Sequence, residues 1–131
     1  MSAQEWLSDL GRRLGLPRLA CGTDGRCGTD GRCAVRLDGD LVVVIEASDT
    51  LEELLLCAHL GEVPAPRRRE ALASALLANT ALAADGPLRL AWQAPSQELA
   101  LCLSLRFDQL ATAQPADTLQ ELARTARELR V

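Results

Sequence analysis

Leu7, Leu10 and Leu14 recur at helical spacing near the start of the chain, with Trp6 at the edge of their stripe. Ser2 and Glu5 match the S-x-x-E box that satisfies two orphan amides at a helix start. Gly15 and Pro17 suit its end, so the pattern predicts a first helix over residues 1–15. From Cys33 the period falls to two. Residues 34–38 and 41–47 read as strands joined at Asp38-Gly39-Asp40, a hairpin signal. Residues 41–45 are apolar at every position, which predicts a central strand or one covered on both faces. A third strand is expected near residues 54–60. The stretch from Leu51 could pass for helix, but Gly61, Val63 and Pro64 stop it too soon.

Pro66 suits the first turn of a second helix over residues 66–84. Its Leu72, Leu76 and Leu77, with alanines at 73, 75, 78 and 81, give a smooth apolar surface that invites close approach of another element. Asp85-Gly86-Pro87 ends it. Leu88, Leu90 and Trp92 then alternate with polar or small residues, Pro95-Ser96 makes a turn, and Leu99, Leu101, Leu103 and Leu105 alternate again. This predicts a second hairpin over residues 87–106. A last helix follows over residues 115–130, capped at Asp117 or Thr118, with the stripe Leu119, Leu122, Ala126 and Leu129. The order is α-β-β-β-α-β-β-α, an α+β domain built on a mostly antiparallel five-stranded sheet. At 131 residues the whole chain fits one domain, with strands over residues 33–64 between the first two helices.

Composition narrows the function mainly by exclusion. The formal charge is -4 and the chain has only two Trp and one Phe, a poor basis for nucleic-acid binding. The absence of Lys and Tyr removes Schiff-base and phenolic acid–base chemistry. No apolar run reaches the ~18–20 residues of a membrane span, and no signal-peptide pattern opens the chain, which predicts a cytosolic location.

The candidate chemistry is thin. Cys21-Gly-Thr-Asp-Gly-Arg26 repeats directly as Cys27-Gly-Thr-Asp-Gly-Arg32, followed by Cys33. The six-residue cysteine spacing does not match the two to four typical of structural zinc, and Asp24 and Asp30 are too few oxygens for calcium. The repeat reads as a tandem duplication in a turn-rich loop. Deleting residues 22–27 is therefore expected to shift the unfolding free energy by less than about 1 kcal/mol, because closure entropy grows slowly with loop length. A larger loss in a denaturant titration, or loss of bound zinc, would restore the metal reading. With five cysteines but no C-x-x-C, the sequence suggests neither a disulfide framework nor a redox pair. Cys57 and Cys102 fall inside apolar strands and read as small buried hydrophobes. Cys57 and His59 share a strand face, which makes a thiol enzyme conceivable, but no third orienting group is evident. Arg67-Arg68-Arg69 reads as a solvated face at the second helix start.

Several segments, in this order, resemble one family. Asp30-Gly-Arg-Cys-Ala-Val-Arg-Leu-Asp38 is similar to the first strand, D-G-x-C-x-L-x-(I/L)-D, of class I type III secretion chaperones of the Tir-chaperone (CesT) and YopE-chaperone kind. Leu56-Cys-Ala-His-Leu-Gly-Glu-Val-Pro64 resembles that family's third strand and exit turn. Leu76-Leu77-Ala78-Asn79 resembles the end of its second helix, and Arg106-Phe107-Asp108-Gln109-Leu110 its closing L-x-L-x-x-L. The resemblance runs from about Ala3 to Leu129, and the duplicated hexapeptide is the one departure. It implies a cytosolic homodimer from a Gram-negative bacterium, without cofactor, nucleotide or metal. Such a dimer binds the N-terminal segment of a secreted effector and keeps it partly extended for export. The expected dimer interface is Leu72, Leu76 and Leu77 against Leu88, Leu90 and Trp92. The expected effector groove is Trp6, Leu10 and Leu14 with Leu37, Val43 and Ile45. The alternatives are a regulatory adaptor of the same fold, binding another chaperone or a transcriptional regulator, and, least favoured, a thiol enzyme using Cys57 and His59.

Overall fold

The computed structural model describes residues 3–14, 32–37, 40–48 and 50–129. Among the described residues, three helices, α1 (Ala3–Leu14), α2 (Arg68–Asp85) and α3 (Pro115–Leu129), accompany five strands. These are β1 (Arg32–Leu37), β2 (Leu41–Ser48), β3 (Glu53–Glu62), β4 (Arg89–Gln93) and β5 (Glu98–Arg106). All neighbours pair antiparallel in the order β1-β2-β3-β5-β4, so among the described residues β1 and β4 are the edges. The α+β architecture and the element order are those the periodicity predicts. The hexapeptide repeat, the proposed Ser2 cap and the tip of the first hairpin lie outside the described residues.

Register explains why the apolar run of β2 is tolerated. Leu41, Val43 and Ile45 point to the buried side, while Val42 and Val44 are half-buried on the other. Val35, Val43, Ala58, Leu101 and Leu90 align across the sheet, and Ile45, Leu56 and Leu103 form the neighbouring row. Helix α3 covers β3 and β5 on that buried side and α1 packs on α3. Leu7 and Leu10 of α1 and Leu119, Leu122 and Ala126 of α3 join the core. Trp6 is fully buried, and its Nε1 donates to the Ala113 carbonyl at 2.9 Å, tying α1 to the approach of α3. Asp9, paired with Arg12 and Arg13, faces away.

Three local predictions change. The third strand is longer than expected because a bulge between His59 and Gly61, with Gly61 at φ 125°, lets pairing with β5 continue. Pro66 lies in a 3-10 turn over Ala65–Arg67, and α2 proper begins at Arg68. Pro115 itself opens α3, with the Thr118 amide donating to the Gln114 carbonyl at 2.9 Å, so neither Asp117 nor Thr118 is the cap. Proline suits that position because its missing N–H is one of the orphans anyway.

Candidate interaction surfaces

Helix α2 is apolar nearly all round, and no residue in it is fully buried. Ala71, Leu72, Ala75 and Leu82 pack on the core beside Leu88, Leu90 and Trp92, whereas Leu76 and Leu77 are 72% and 77% exposed. The expected set therefore divides: Leu72 packs on the core of its own chain, as do Leu88, Leu90 and Trp92, and Leu76 and Leu77 are left for something else. A helix without a polar face is at odds with solvation on its outer side. The alanine surface does not close fully onto the sheet. It leaves a groove of about 300 Å³ bordered by Leu60, Ala71, Ala75, Ala78, Leu90 and Leu99.

Two polar devices hold α2 in place. The Asn79 side chain donates to the Leu90 carbonyl at 3.1 Å and accepts from the Leu90 amide at 2.7 Å, covering one station of the β4 edge. Edge strands need such protection against unwanted pairing. Arg68 donates to the Val63 carbonyl at 3.3 Å and to Gln97 Oε1 at 2.9 Å, with its guanidinium 5.6 Å from the Trp92 ring centre. Arg68 is thus a clamp and not part of a solvated arginine run. Its buried Nε has no hydrogen-bond partner. Asn79→Ala leaves the Leu90 amide and carbonyl without their side-chain partner. It is expected to cost about 1–3 kcal/mol in denaturant unfolding.

The expected effector groove is largely closed. Trp6, Leu10, Val43 and Ile45 have no exposed surface, because α1 seats its stripe against the sheet and α3. They correct the sequence expectation: in this chain they are core. The Leu14 side chain lies outside the described residues. Leu37 alone keeps surface, in an open groove of about 360 Å³ shared with Arg13 of α1 and Ala116, Leu119, Gln120, Ala123 and Arg127 of α3. Sequence patterning missed Arg13 and Arg127 because each lies on the polar side of its own helix. Only the packing of α1 on α3 brings both to the end of β1.

Cys57 and His59 do share a strand face, but they do not bond. The Cys57 thiol meets Cys102 Sγ at 2.7 Å, and His59 Nδ1 meets Glu98 Oε2 at 3.0 Å. The hydrogen bond to Cys102, then burial, then the charges of Cys102 and Glu46 push the Cys57 thiol far above its ordinary range, opposite to what a nucleophile needs. Among the described residues no three His, Cys, Asp or Glu side chains cluster as metal ligands, and no helix is long and apolar enough to cross a membrane.

The fold has close counterparts. It superposes on a chain of the ExsC–ExsE complex with a TM-score of 0.69 at 17% identity, covering 96% of this chain and 92% of that one. The HopA1–SchA chaperone–effector complex gives 0.63 at 22% identity, with 95% and 91% covered. The heterodimeric ExoU–SpcU complex of the Pseudomonas aeruginosa type III secretion system gives 0.62 at 20%, with 96% and 89% covered. No curated protein sequence matches the chain. The sequence profile of one family, however, matches residues 5–130, spanning α1 through α3 with every strand between. The chain belongs to the Tir chaperone protein (CesT) family.

Proposed function

We propose that the protein is a cytosolic, homodimeric type III secretion chaperone, not an enzyme, that binds the N-terminal segment of a secreted effector and holds it partly extended. The observation that carries this reading is the family match over residues 5–130, in a fold shared with chains solved in a chaperone–effector complex. The surfaces agree with it. Leu76 and Leu77 offer a dimer contact, and the β1 edge beside Leu37 offers an extended segment both backbone pairing and an apolar foothold. A partner bound in this way needs no reacting group from the chaperone, only a long buried contact to offset its ordering.

Purification from the native host, followed by mass measurement alone and with the co-purifying protein, tests this reading. An exported protein bound through its N-terminal segment to a dimer is the expected result. A transcriptional regulator or second chaperone as the sole partner would replace it with the adaptor reading. Within the chaperone reading, Leu37→Asp is expected to weaken effector binding at least about tenfold, a loss of about 1.4 kcal/mol. The dimer should survive, since Leu37 lies far along the sheet from β4. Unchanged affinity in titration calorimetry would remove this groove from the effector site.

A further inference from the structure

We propose that Cys57 and Cys102 are a site of reversible covalent modification, closing into a cross-strand disulfide on reaction with a small disulfide such as oxidised glutathione. The inference does not rest on the chaperone reading. The two cysteines are direct partners in the β3–β5 ladder. Opposed residues in an antiparallel pair have Cα atoms about 4.5–5.5 Å apart, inside the range a disulfide spans. Their side chains leave the same face of the sheet and meet, Sγ to Sγ, at 2.7 Å. Both are free thiols in this structure.

Of the two, Cys102 lies where a reagent can reach it, while Cys57 is buried beside it. Leu56 and Ala58, which flank Cys57, point into the core beneath the helices, so Cys57 and Cys102 face the other way. No described helix packs over that face, and Cys102 is half-buried. The thiols are not equivalent. The hydrogen bond from Cys57 holds the Cys102 thiol below its ordinary range, against the opposing effect of burial, while Cys57 is raised. Cys102, also the more exposed of the two, is the attacking sulfur and Cys57 the resolving one.

The chemistry balances without a further reagent. Cys102 thiolate attacks one sulfur of oxidised glutathione, expelling glutathione thiolate and leaving a mixed disulfide. With Cys102 bonded to glutathione, the Cys102 charge and hydrogen bond that raised Cys57 are gone, and Cys57, giving up its proton, attacks Cys102 Sγ as the second glutathione thiolate departs. Two protein thiols are oxidised by two electrons, one glutathione disulfide is reduced to two thiols, and the two protein protons end on them. The new bond closes a loop containing all of α2 and β4, the segment that carries Leu76 and Leu77. Cross-linking the ends of that loop restricts the unfolded chain, so the oxidised form melts higher than the reduced one.

Peptide mapping of the full chain tests the proposal. Cleavage after arginine places Cys57 alone in residues 37–67 and Cys102 alone in residues 90–106. The folded protein is equilibrated in glutathione buffers of rising oxidised fraction, its remaining thiols are alkylated, and the digest is weighed. The expected product at the oxidised end is the two peptides joined, about 2 Da lighter than their sum. It should account for more than half of the chain and vanish with dithiothreitol. Cys57→Ser should stop at one glutathione on Cys102. Alkylation of both Cys57 and Cys102 in the oxidised buffer, a lasting glutathione adduct on Cys102 of the unsubstituted chain, or linkage mainly to Cys21, Cys27 or Cys33 would each overturn the assignment.

Discussion

Replacing Leu76 and Leu77 together by arginine is expected to turn a dimer of about 28 kDa, twice the 14.1 kDa chain, into a monomer in light scattering at micromolar concentration. The two leucines are exposed on a helix that lacks a polar face, and a second copy that buries them is the contact expected for a dimer. A two-fold interface uses the same patch on both chains, so the double substitution removes four leucines from it. At about 1.5 kcal/mol each, the loss is roughly 6 kcal/mol, about four powers of ten in Kd, before any cost of burying arginine. Neither residue joins the core of its own chain, so the far-ultraviolet circular dichroism should be unchanged. A variant that remains dimeric would place the dimer contact elsewhere.

Trp6→Ala is expected to destabilise the chain by about 3–5 kcal/mol, seen as a lower denaturant midpoint at unchanged slope. That is a large fraction of the roughly 5–15 kcal/mol a domain of this kind possesses. The reason is twofold: Trp6 is fully buried among α1, α3 and the sheet, and its indole N–H satisfies the Ala113 carbonyl. Trp6→Phe separates the two contributions, keeping much of the volume while leaving that carbonyl unpaired, and should cost about 1–3 kcal/mol. The sequence expectation placed Trp6 instead in the effector groove, with Leu10 and Leu14. A Trp6→Ala protein of native stability with weakened effector binding would reinstate it.

The contrast between these residues shows what a linear pattern can carry. Leu99, Leu101, Leu103 and Leu105 announce a half-buried strand because strand periodicity is local, and the same holds for the stripes of α1 and α3. Element types, their order and the antiparallel sheet were legible for that reason, as was the family resemblance, which rests on the same spaced leucines. Periodicity states that a stripe is apolar; it does not state what covers it. Trp6 and Leu76 both sit among apolar helical positions, yet one is enclosed by its own chain and the other is left at the surface.

That difference was decided only by tertiary packing. Helix α1 packs on α3 and sinks its apolar stripe into the core, whereas α2 lies out over the β4 edge, pinned there by Asn79 and Arg68. The groove at Leu37 likewise exists only because two helices far apart in sequence meet at the end of β1. The cysteines make the same point in the sheet. Residues 57 and 102 have no motif spacing, but one strand register sets their sulfurs side by side. A shift of one residue would send all of their side chains to the opposite face. Secondary structure follows from interactions a few residues apart, which the sequence determines directly. Burial, register and edge position depend on which distant segments meet, and the three-dimensional fold alone settles them.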